Sequence, residues 1–403
     1  MPVPARIRWF FAVSAALLLL IPTWSGAHVI DVTDYGANPR DNEDDTDAIE
    51  EAVADAKELV RALRPEGASI VGAGPTLYFP SGLYHLSREI ELSGFASMRG
   101  DSGKSLIRWM DGEQGEGPYA EAMFRVHAYT NTIENLKFIG GRTHLLIHNE
   151  NTNQTLVEIN GCEFQHATDF AIRAVPSGDA DHLSTELTIR NCKFIFNYQC
   201  LETYADYSSV LDTWVELRQP QMKDGAAFVN RSGHLFFDRM VGVPCADISK
   251  APADVGRNLD NARWVDNYGN FTAIHTRFGG EGAGIPAVYN YKPFVPKYPW
   301  VAGGAHISIT SSNVSTGSTR RPMGSVVVLY HLPQSVTIRD NVGPVNNPAF
   351  IIADEEEIRR EVDEVLALAD GQRNVRYVVR DNTTSPEDLA DTVPDLLRQF
   401  TNP

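Results

Sequence analysis

The chain has 403 residues, of which 43% are hydrophobic and 22% are charged. This apolar content is enough to bury a large core, so disordered and low-complexity classes are excluded. The 35 Lys and Arg residues against 52 Asp and Glu residues give a net charge of −17. A nucleic-acid partner and an anionic membrane surface both require a basic face, and neither is expected. An acidic polymer could bind only in a locally basic groove.

The first 27 residues have the pattern of a secretory signal peptide. Arg6 and Arg8 precede a short apolar run, Trp9–Ile21, and Ser25-Gly26-Ala27 supplies small residues for cleavage. The run is shorter than the roughly 17–25 residues of a membrane-spanning helix. We therefore expect a secreted protein, extracellular or periplasmic, with an uncleaved anchor as the alternative. Its four cysteines would meet an oxidising compartment, where three disulfide pairings are open.

A short segment recurs through the middle of the chain. Each copy has an apolar strand end, a small or Asn/Asp residue and a second apolar strand start. No helical periodicity runs through the copies, and the central residue suits a left-handed backbone, so stacked β coils are predicted. The copies are Ile133–Phe138, Ile159–Phe164, Ile189–Phe194, Val210–Val215, Leu235–Met240, Ala273–Phe278, Ile309–Val314 and Thr337–Val342.

Three N-terminal segments join this pattern: VTDYGA at Val32–Ala37, DDTDAIEEA at Asp44–Ala52 and LYFPSGLYHL at Leu77–Leu86. Together with the repeats they resemble the pectate-lyase superfamily of pectate lyases, rhamnogalacturonases and polygalacturonases. The resemblance implies an all-β fold, a single-stranded right-handed parallel β-helix (pectin-lyase-like) with an N-terminal capping helix and a C-terminal helical cap. After the signal peptide at 1–27, the β-helix would span 28–352 and a C-terminal α/β cap 353–403. This superfamily hosts lyases, hydrolases, epimerases and phage tail-spikes, so the fold alone does not give the activity.

The capping helix is predicted over about Asp47–Arg61. Asp47 followed by Glu50 has the spacing of a capping box, and the helix would cover the open edge of the first coil. A calcium loop in the acidic cluster Asp41–Asp47 is the alternative, but the cluster lacks EF-hand spacing. At the other end, Glu355–Ala369 is predicted to be a helix.

The resemblance places the substrate on the outer face of one parallel sheet, formed by the strand that follows each repeated segment. Alternation puts every second residue outside, and a slip of one residue would invert the assignment. Phe170 is then predicted inside and Phe228 outside. The predicted strands are His144–Asn149, Phe170–Val175, Cys200–Tyr204, Gly225–Asn230, Pro286–Tyr291, Ser325–Tyr330 and Ala349–Ala353. The predicted outer stripe comprises His148, Arg173, Glu202, Tyr204, Asn230, Tyr291 and Tyr330.

The stripe has the residue types that a uronate site needs. Arg173 would neutralise the substrate carboxylate and stabilise the enolate, and Tyr204 or His148 would transfer the proton. A Ca²⁺ ion held by Glu202 and Asp169 is the alternative to the arginine. No cofactor is otherwise predicted.

Residues outside the stripe supply candidates for substrate binding. Arg277 and Glu281 flank a glycine turn, although an ion pair between them would explain them equally well. The insert Tyr289–Trp300 carries Lys292 and ends at Trp300. Aromatic faces can stack on sugar rings and lysines attract an anionic chain. The alternative is a proline-rich loop that shields the sheet. The predicted binding set is Arg277, Glu281, Tyr289, Tyr291, Lys292, Trp300 and Tyr330.

Catalytic residues cannot be carried over from characterised branches of the superfamily. Ser232-Gly233-His234-Leu235 breaks the G-H-G signature of polygalacturonases, and Arg320-Arg321-Pro322 matches the calcium-dependent lyase signature poorly. Three hypotheses follow. The first is a polysaccharide lyase that acts by β-elimination on an acidic glycan. The second is a glycoside hydrolase with Asp169 and Glu202 as its carboxylate pair. The third is a non-catalytic carbohydrate-binding protein. Each has a polysaccharide, and neither nucleic acid nor membrane, as partner, and we expect a monomer.

Overall fold

The computed structural model describes residues 28–63, 74–110, 122–149, 155–176, 183–217, 225–244, 263–279, 287–292, 306–314, 326–344, 350–368, 375–385 and 393–401. In this part of the chain the strands form three parallel sheets of 12, 11 and 10 strands. Each complete coil contributes one strand to each sheet, and the next coil pairs with it in parallel. The predicted all-β parallel β-helix is confirmed.

Sheet 1 is formed by β1 (Val29–Asp31), β2 (Thr76–Phe79), β5 (Ser97–Gly100), β8 (Asn131–Glu134), β11 (Thr155–Asn160), β14 (Leu183–Arg190), β17 (Ala205–Leu211), β20 (His234–Asp238), β23 (Asn270–Ile274), β26 (His306–Thr310), β29 (Ser335–Arg339) and β32 (Arg376–Arg380). Sheet 2 is formed by β3 (Gly82–Leu86), β6 (Ser105–Trp109), β9 (Leu136–Ile139), β12 (Glu163–Gln165), β15 (Lys193–Ile195), β18 (Trp214–Leu217), β21 (Val241–Pro244), β24 (Arg277–Phe278), β27 (Asn313–Val314), β30 (Val342–Pro344) and β33 (Thr383–Ser385). Sheet 3 is formed by β4 (Ile90–Leu92), β7 (Phe124–His127), β10 (Leu145–His148), β13 (Phe170–Ala174), β16 (Gln199–Thr203), β19 (Ala226–Asn230), β22 (Arg263–Asn267), β25 (Val288–Asn290), β28 (Val327–Leu329) and β31 (Phe350–Ile352).

The repeated segments are the turns from sheet 1 into sheet 2. Their central residues have positive φ, as at Asn135 (59°), Gly161 (66°) and Asn191 (53°). Asn and Gly tolerate this left-handed conformation best. Arg239 (53°) and His275 (49°) adopt it as well, so the stacking of the coils imposes the turn even on residues that do not favour it.

In-register stacking fills the core with columns of like side chains. Phe138, Phe164 and Phe194 lie on successive coils of sheet 2, with ring centroids 5.2 and 5.1 Å apart. The His144 ring stacks against the first two of these rings. Its Nε2 lies 2.9 Å from the Gly140 carbonyl oxygen. The column therefore combines apolar burial with favourable ring geometry.

An asparagine column runs inside the end of sheet 3. Nδ2 of Asn230 donates to Oδ1 of Asn267 (2.9 Å), and Nδ2 of Asn267 donates to Oδ1 of Asn290 (3.0 Å). All three side chains are fully buried, as is Phe228. The predicted outward positions of Asn230 and Phe228 are therefore wrong. Phe228 pairs in register with the inward residues Leu201 and Val265, which turns Val229 outward instead.

Two α-helices are described, α1 (Thr46–Leu63) and α2 (Glu355–Ala367), together with 3-10 helices at Val32–Tyr35 and Asp395–Phe400. Helix α1 packs on β2 and β4, and it begins one residue before the predicted cap Asp47. Asp47 and Glu50 form no capping box but both bind Arg88. None of the helices described here is long and apolar enough to cross a membrane.

The remaining sequence predictions meet the structure only in part. Cys162, Cys192 and Cys200 are buried and unbridged, whereas Cys245 and the signal peptide lie outside the described residues. In the predicted C-terminal cap, β32 and β33 extend sheets 1 and 2.

The first prediction concerns the asparagine column. Asn267→Ala removes the middle residue, so that the buried Oδ1 of Asn290 loses its donor and Nδ2 of Asn230 keeps only the Asn270 carbonyl oxygen as acceptor. We expect the free energy of unfolding to fall by about 2–4 kcal/mol in urea denaturation, because each orphaned buried polar group costs about 1–3 kcal/mol. Asp363→Ala on the exposed face of α2 is the control. A loss no larger than that of the control would contradict this role of the column.

The second prediction concerns pH. Burial lowers the pKa of His144 from 6.5 to about 3, so the unfolded chain binds a proton over a range where the folded protein does not. Stability is therefore complete above about pH 6.5 and is lost as the pH falls, by about 2 kcal/mol at pH 5 from this residue. His144→Phe keeps the ring stack and removes the titration. We expect a flatter dependence of the urea midpoint on pH between 7 and 5, and equal slopes in the two proteins would contradict the assignment.

Candidate functional site

Two parallel rows of side chains cover the outer face of sheet 3. In the first row each residue pairs in register with the next, and the row reads Glu91, Arg125, Leu146, Arg173, Glu202, Val229, Asp266, Tyr289, Val328 and Ile351. The second row lies two positions further along each strand. The backbone N–H groups of these residues donate to carbonyl oxygens of the previous coil. The second row comprises His127, His148, Val175, Tyr204, Arg231, Tyr268, Tyr291, Tyr330 and Ala353.

A chain of alternating charges links the central coils. Arg142 contacts Asp169 at 3.0 Å, and Arg173 contacts the same carboxylate at 3.2 Å. On its other side Arg173 lies 3.3 Å from Glu202, whose second oxygen accepts from Nε of Arg231 at 2.9 Å. The Arg173 and Glu202 side chains are only 10% and 6% exposed. Because the pairing satisfies these buried charges, they form a rigid support for what lies above them.

Arg231 is the accessible end of this charge chain. Its side chain is 33% exposed, against 10% for Arg173. It lies between Tyr204 and Tyr268 in the second row, and its guanidinium carbon is 5.2 Å from the centroid of the Tyr268 ring. Glu202 fixes the guanidinium from below. The group therefore presents donors to the solvent side of the sheet in a fixed position.

Tyrosines continue the second row beyond Arg231. The rings of Tyr268, Tyr291 and Tyr330 stack with centroids 4.9 Å apart at each step and an angle of 14° between planes. Tyr330, at 38% exposure, is the most open of them. Burial raises the pKa of Tyr268 and of Tyr291, so both stay protonated at neutral pH. They form an aromatic surface with hydroxyl groups along its edge.

Histidines occupy the opposite end of the row. The rings of His127 and His148 lie 4.4 Å apart, and Nε2 of His127 bonds to Glu91. Burial and the charge of His127 lower the pKa of His148 to about 4, so it is neutral at pH 7. Val175 and Tyr204 follow on the next two coils. His148 is thus separated from Tyr204 by roughly 10 Å along the sheet.

The structure brings most of the predicted catalytic set together and separates part of the binding set from it. His148, Arg173, Glu202 and Tyr204 lie on the outer face of sheet 3, and Asp169 lies beside it through Arg173. Tyr289, Tyr291 and Tyr330 are on the same face. Lys292 is exposed next to that row, whereas Arg277 is exposed on sheet 2, in β24, and so belongs to another face. Glu281 and Trp300 lie outside the described residues.

Sequence reasoning placed Phe170 on the wrong face. It packs with Ala226 and Val229 outside the coil, and the Arg173 guanidinium carbon lies 4.8 Å from the centroid of its ring. Ala171 and Ile172 both face the core, as do Cys200 and Leu201 on the next coil, although β13 and β16 keep one register. Simple alternation fails at such an irregular step.

Four residues on or beside this face were not predicted from the sequence. They are Arg231, Tyr268, Asp266 and Arg263. Arg231 directly follows a strand whose faces were predicted in inverted order. The other three belong to β22 or follow it directly, and this strand was not predicted because a long insertion separates it from the preceding coil. Arg263 bonds to Asp266 and lies 5.0 Å from the Tyr289 ring. Their signal in the sequence was the segment RWVDNYGN itself, at Arg263–Asn270, which repeats the apolar alternation of its neighbours.

The residues do not fit the Ca²⁺ alternative. The Arg173 guanidinium is in contact with both Asp169 and Glu202, and it occupies the space between the two carboxylates that a cation would need. Within the described ranges no group of three or more His, Cys, Asp or Glu side chains could hold a metal ion.

The comparisons with known proteins agree with this architecture. Residues 29–197, less than half of the chain, match the family described as "Rhamnogalacturonase A/epimerase, pectate lyase-like". This N-terminal part of the β-helix is similar to that family. None of the curated proteins matches the sequence.

Solved structures are similar to this β-helix at low identity. A protein of Geobacillus virus E2 is 12% identical with a TM-score of 0.46, and the alignment covers 87% of this chain and 63% of the viral one. An α-1,3-glucanase catalytic unit from Streptomyces thermodiastaticus is 13% identical, with a TM-score of 0.46 and coverage of 92% and 70%. A mannuronan C-5 epimerase module from Azotobacter vinelandii is 14% identical, with a TM-score of 0.41 and coverage of 79% and 88%. At these values the neighbours do not indicate an activity for this β-helix.

The third prediction tests the charge chain. Glu202→Gln preserves the size of the side chain but removes the carboxylate between Arg173 and Arg231, so that Arg173 keeps only Asp169 and Arg231 loses its partner carboxylate. We expect a loss of about 3 kcal/mol in the free energy of unfolding, as for one partner removed from a buried pair. Glu158→Gln removes the carboxylate of the more exposed pair with Arg190 and is expected to cost less than about 1 kcal/mol. Equal losses in the two variants would contradict the structural role of Glu202.

Proposed function

We propose that this β-helix is a secreted polysaccharide lyase that cleaves an acidic, uronate-containing glycan by β-elimination on the outer face of sheet 3. The observation that carries the proposal is Arg231, a partly exposed guanidinium held by Glu202 between two tyrosines. An arginine in this setting can bind a carboxylate with two parallel hydrogen bonds. It also supplies the local positive charge that a protein of net charge −17 needs to attract an anionic chain.

The reaction requires a cation at the carboxylate and a proton acceptor at C5. Arg231 would neutralise the carboxylate and stabilise the enolate formed when the C5 proton leaves. Tyr204 precedes Arg231 in the second row and lies one coil away. A cation next to a phenol favours the phenolate, which is the form that can accept this proton. The C4–O4 bond then breaks, the C4–C5 double bond forms, and the phenol returns its proton to the leaving oxygen.

This assignment moves the role first given to Arg173 to Arg231. Arg173 is nearly buried and contacts two carboxylates, so it positions Glu202 rather than meeting the substrate. His148 lies three coils from Arg231, roughly 14 Å away, too far to act on the same sugar ring. The hydrolase alternative is disfavoured for a related reason. A glycosidase binds the scissile bond between its two carboxylates, but between Asp169 and Glu202 lies Arg173.

One observation favours a second candidate function, a non-catalytic glycan-binding protein. The stacked rings of Tyr268, Tyr291 and Tyr330 form a continuous aromatic surface of the kind on which sugars stack. Such a surface binds whether or not Tyr204 and Arg231 carry out chemistry. Both candidate functions therefore predict that the protein binds a glycan, and only the lyase predicts that it cleaves one.

One assay separates the candidates. The protein is incubated with a panel of acidic polysaccharides, and the ultraviolet absorbance of the unsaturated uronate is followed together with new reducing ends. Absorbance with reducing ends supports the lyase. Reducing ends without absorbance indicate a hydrolase, and retention on a glycan column without turnover indicates a binding protein. Secretion is tested by sequencing the N terminus of the exported protein, which we expect to begin near His28.

The fourth prediction concerns the two residues of the proposed reaction. We expect Arg231→Ala to lower kcat by about a hundredfold to a thousandfold, the range for removal of one electrostatic stabiliser. Tyr204→Phe removes the proton-transfer group and should lower kcat by about a hundredfold to ten-thousandfold, with little effect on KM. Arg190→Ala on sheet 1 removes a surface arginine as the control. Unchanged turnover in both Arg231→Ala and Tyr204→Phe would refute the site.

A further inference from the structure

A cavity lies between the capping helix and the first coils, at the histidine end of sheet 3. It has a volume of about 310 Å³. Helix α1 contributes Lys57 and Arg61 to its wall, and the loops after β4 and β7 contribute Phe95 and Tyr129. Glu91 and His127, the first members of the two outer rows, line it as well. The cavity is therefore continuous with the face that carries the proposed reaction.

The aromatic wall of this cavity is held in a fixed shape. The rings of Phe95 and Tyr129 lie 4.3 Å apart, and the Phe95 N–H donates to the Tyr129 carbonyl oxygen at 2.8 Å. Phe95 has a φ of 69°, a left-handed conformation that costs free energy in a bulky residue. Buried Asn131 supports the loop by donating to the carbonyl oxygens of Ser93 and Ala96. A strained backbone maintained in this way is common at binding sites.

The charge of the wall is opposite in sign to that of the whole chain. Lys57 and Arg61 contribute two positive charges and Glu91 one negative charge, while the whole protein carries −17. Glu91 is bonded to His127, and Arg61 also pairs with Glu58 at the exposed surface of the helix. Lys57 is exposed and so remains available to a ligand. An aromatic pair next to basic side chains matches a sugar that bears an acidic group.

We propose that this cavity is a second glycan-binding site, which holds an anionic sugar residue of the chain that reacts at Arg231. The sugar face would stack on Phe95 and Tyr129, and its carboxylate or sulfate ester would meet Lys57 and Arg61. His127 is three coils from Tyr204, roughly 14 Å along the sheet. Because a sugar unit in an extended glycan is about as long as the rise of one coil, the cavity would hold a residue several units from the cleaved bond. The proposal rests on the proposed glycan function of sheet 3.

The site has a consequence for chain length. A dimer bound at Arg231 cannot reach the cavity, whereas a hexamer can occupy both places. Affinity should therefore rise between these lengths, and the gain should depend on Lys57 and Arg61.

The fifth prediction is tested by calorimetric binding of galacturonate oligomers to protein carrying Tyr204→Phe, in which turnover is suppressed. We expect Lys57→Ala/Arg61→Ala to bind the hexamer about tenfold more weakly, the effect of two accessible ionic contacts, and the dimer with unchanged affinity. Lys104→Ala/Arg108→Ala removes the same two charges from exposed positions on sheet 2 and its preceding turn, and should leave both affinities unchanged. Hexamer affinity equal to that of this control would overturn the proposal.

Further experiments identify the acidic group that the cavity binds and distinguish the binding-site proposal from the lyase proposal. A sulfated galactan hexamer replaces the galacturonate hexamer to show which acidic group the cavity prefers, and a neutral cellohexaose should be insensitive to the Lys57 and Arg61 changes. Equal weakening for the neutral chain would overturn the ionic role. Phe95→Gly removes the ring and relieves the left-handed strain, so binding should weaken without loss of stability. If no glycan is cleaved but the affinity for the hexamer still depends on Lys57 and Arg61, the second binding site is supported and the lyase proposal is refuted. If a glycan is cleaved but the affinity for the hexamer does not depend on these two residues, the lyase proposal is supported and the second binding site is refuted.

Discussion

Parallel hydrogen bonding in register is the constraint on which the rest of this protein depends. Once one coil pairs with the next without a shift, each position in a strand becomes a row that runs the length of the sheet at about 4.8 Å per coil. The phenylalanine column, the asparagine column and the outer tyrosine row are all products of this rule. A functional group on one coil therefore acquires neighbours from chain segments 20 to 40 residues away.

Register also decides how charge can be used on the outer face. Arg173 and Glu202 face each other on adjacent coils and are nearly buried, so each must be paired to be tolerated. The chain of pairs ends at Arg231, which is 33% exposed and is held by Glu202 from behind. The buried ion pairs thus hold Arg231 in place. At this exposed end of the charge chain a substrate carboxylate can replace water.

The two ends of the same face have different chemistry. At one end the stacked tyrosines form an aromatic surface, and at the other the cavity under helix α1 combines two aromatic rings with basic side chains. Helix α1 is required in any case to cover the edge of the first coil. That its polar side carries Lys57 and Arg61 towards the groove connects a structural cap to the recognition of an anionic chain.

The sequence by itself determined the coil and its turns. A left-handed residue between two apolar strand ends is a local requirement, and Asn135, Gly161 and Asn191 are residue types that meet it. It also placed His148, Arg173, Glu202 and Tyr204 on one face by alternation. It failed at Phe170, next to two consecutive residues that both face the core, and at Asn230, which alternation placed outside although its Nδ2 donates to Asn267 inside the coil. Only the tertiary structure could show that Arg173 is enclosed by two carboxylates and that Arg231 is accessible. Burial and ion pairing depend on neighbours in other coils, and those neighbours are fixed by register rather than by local sequence.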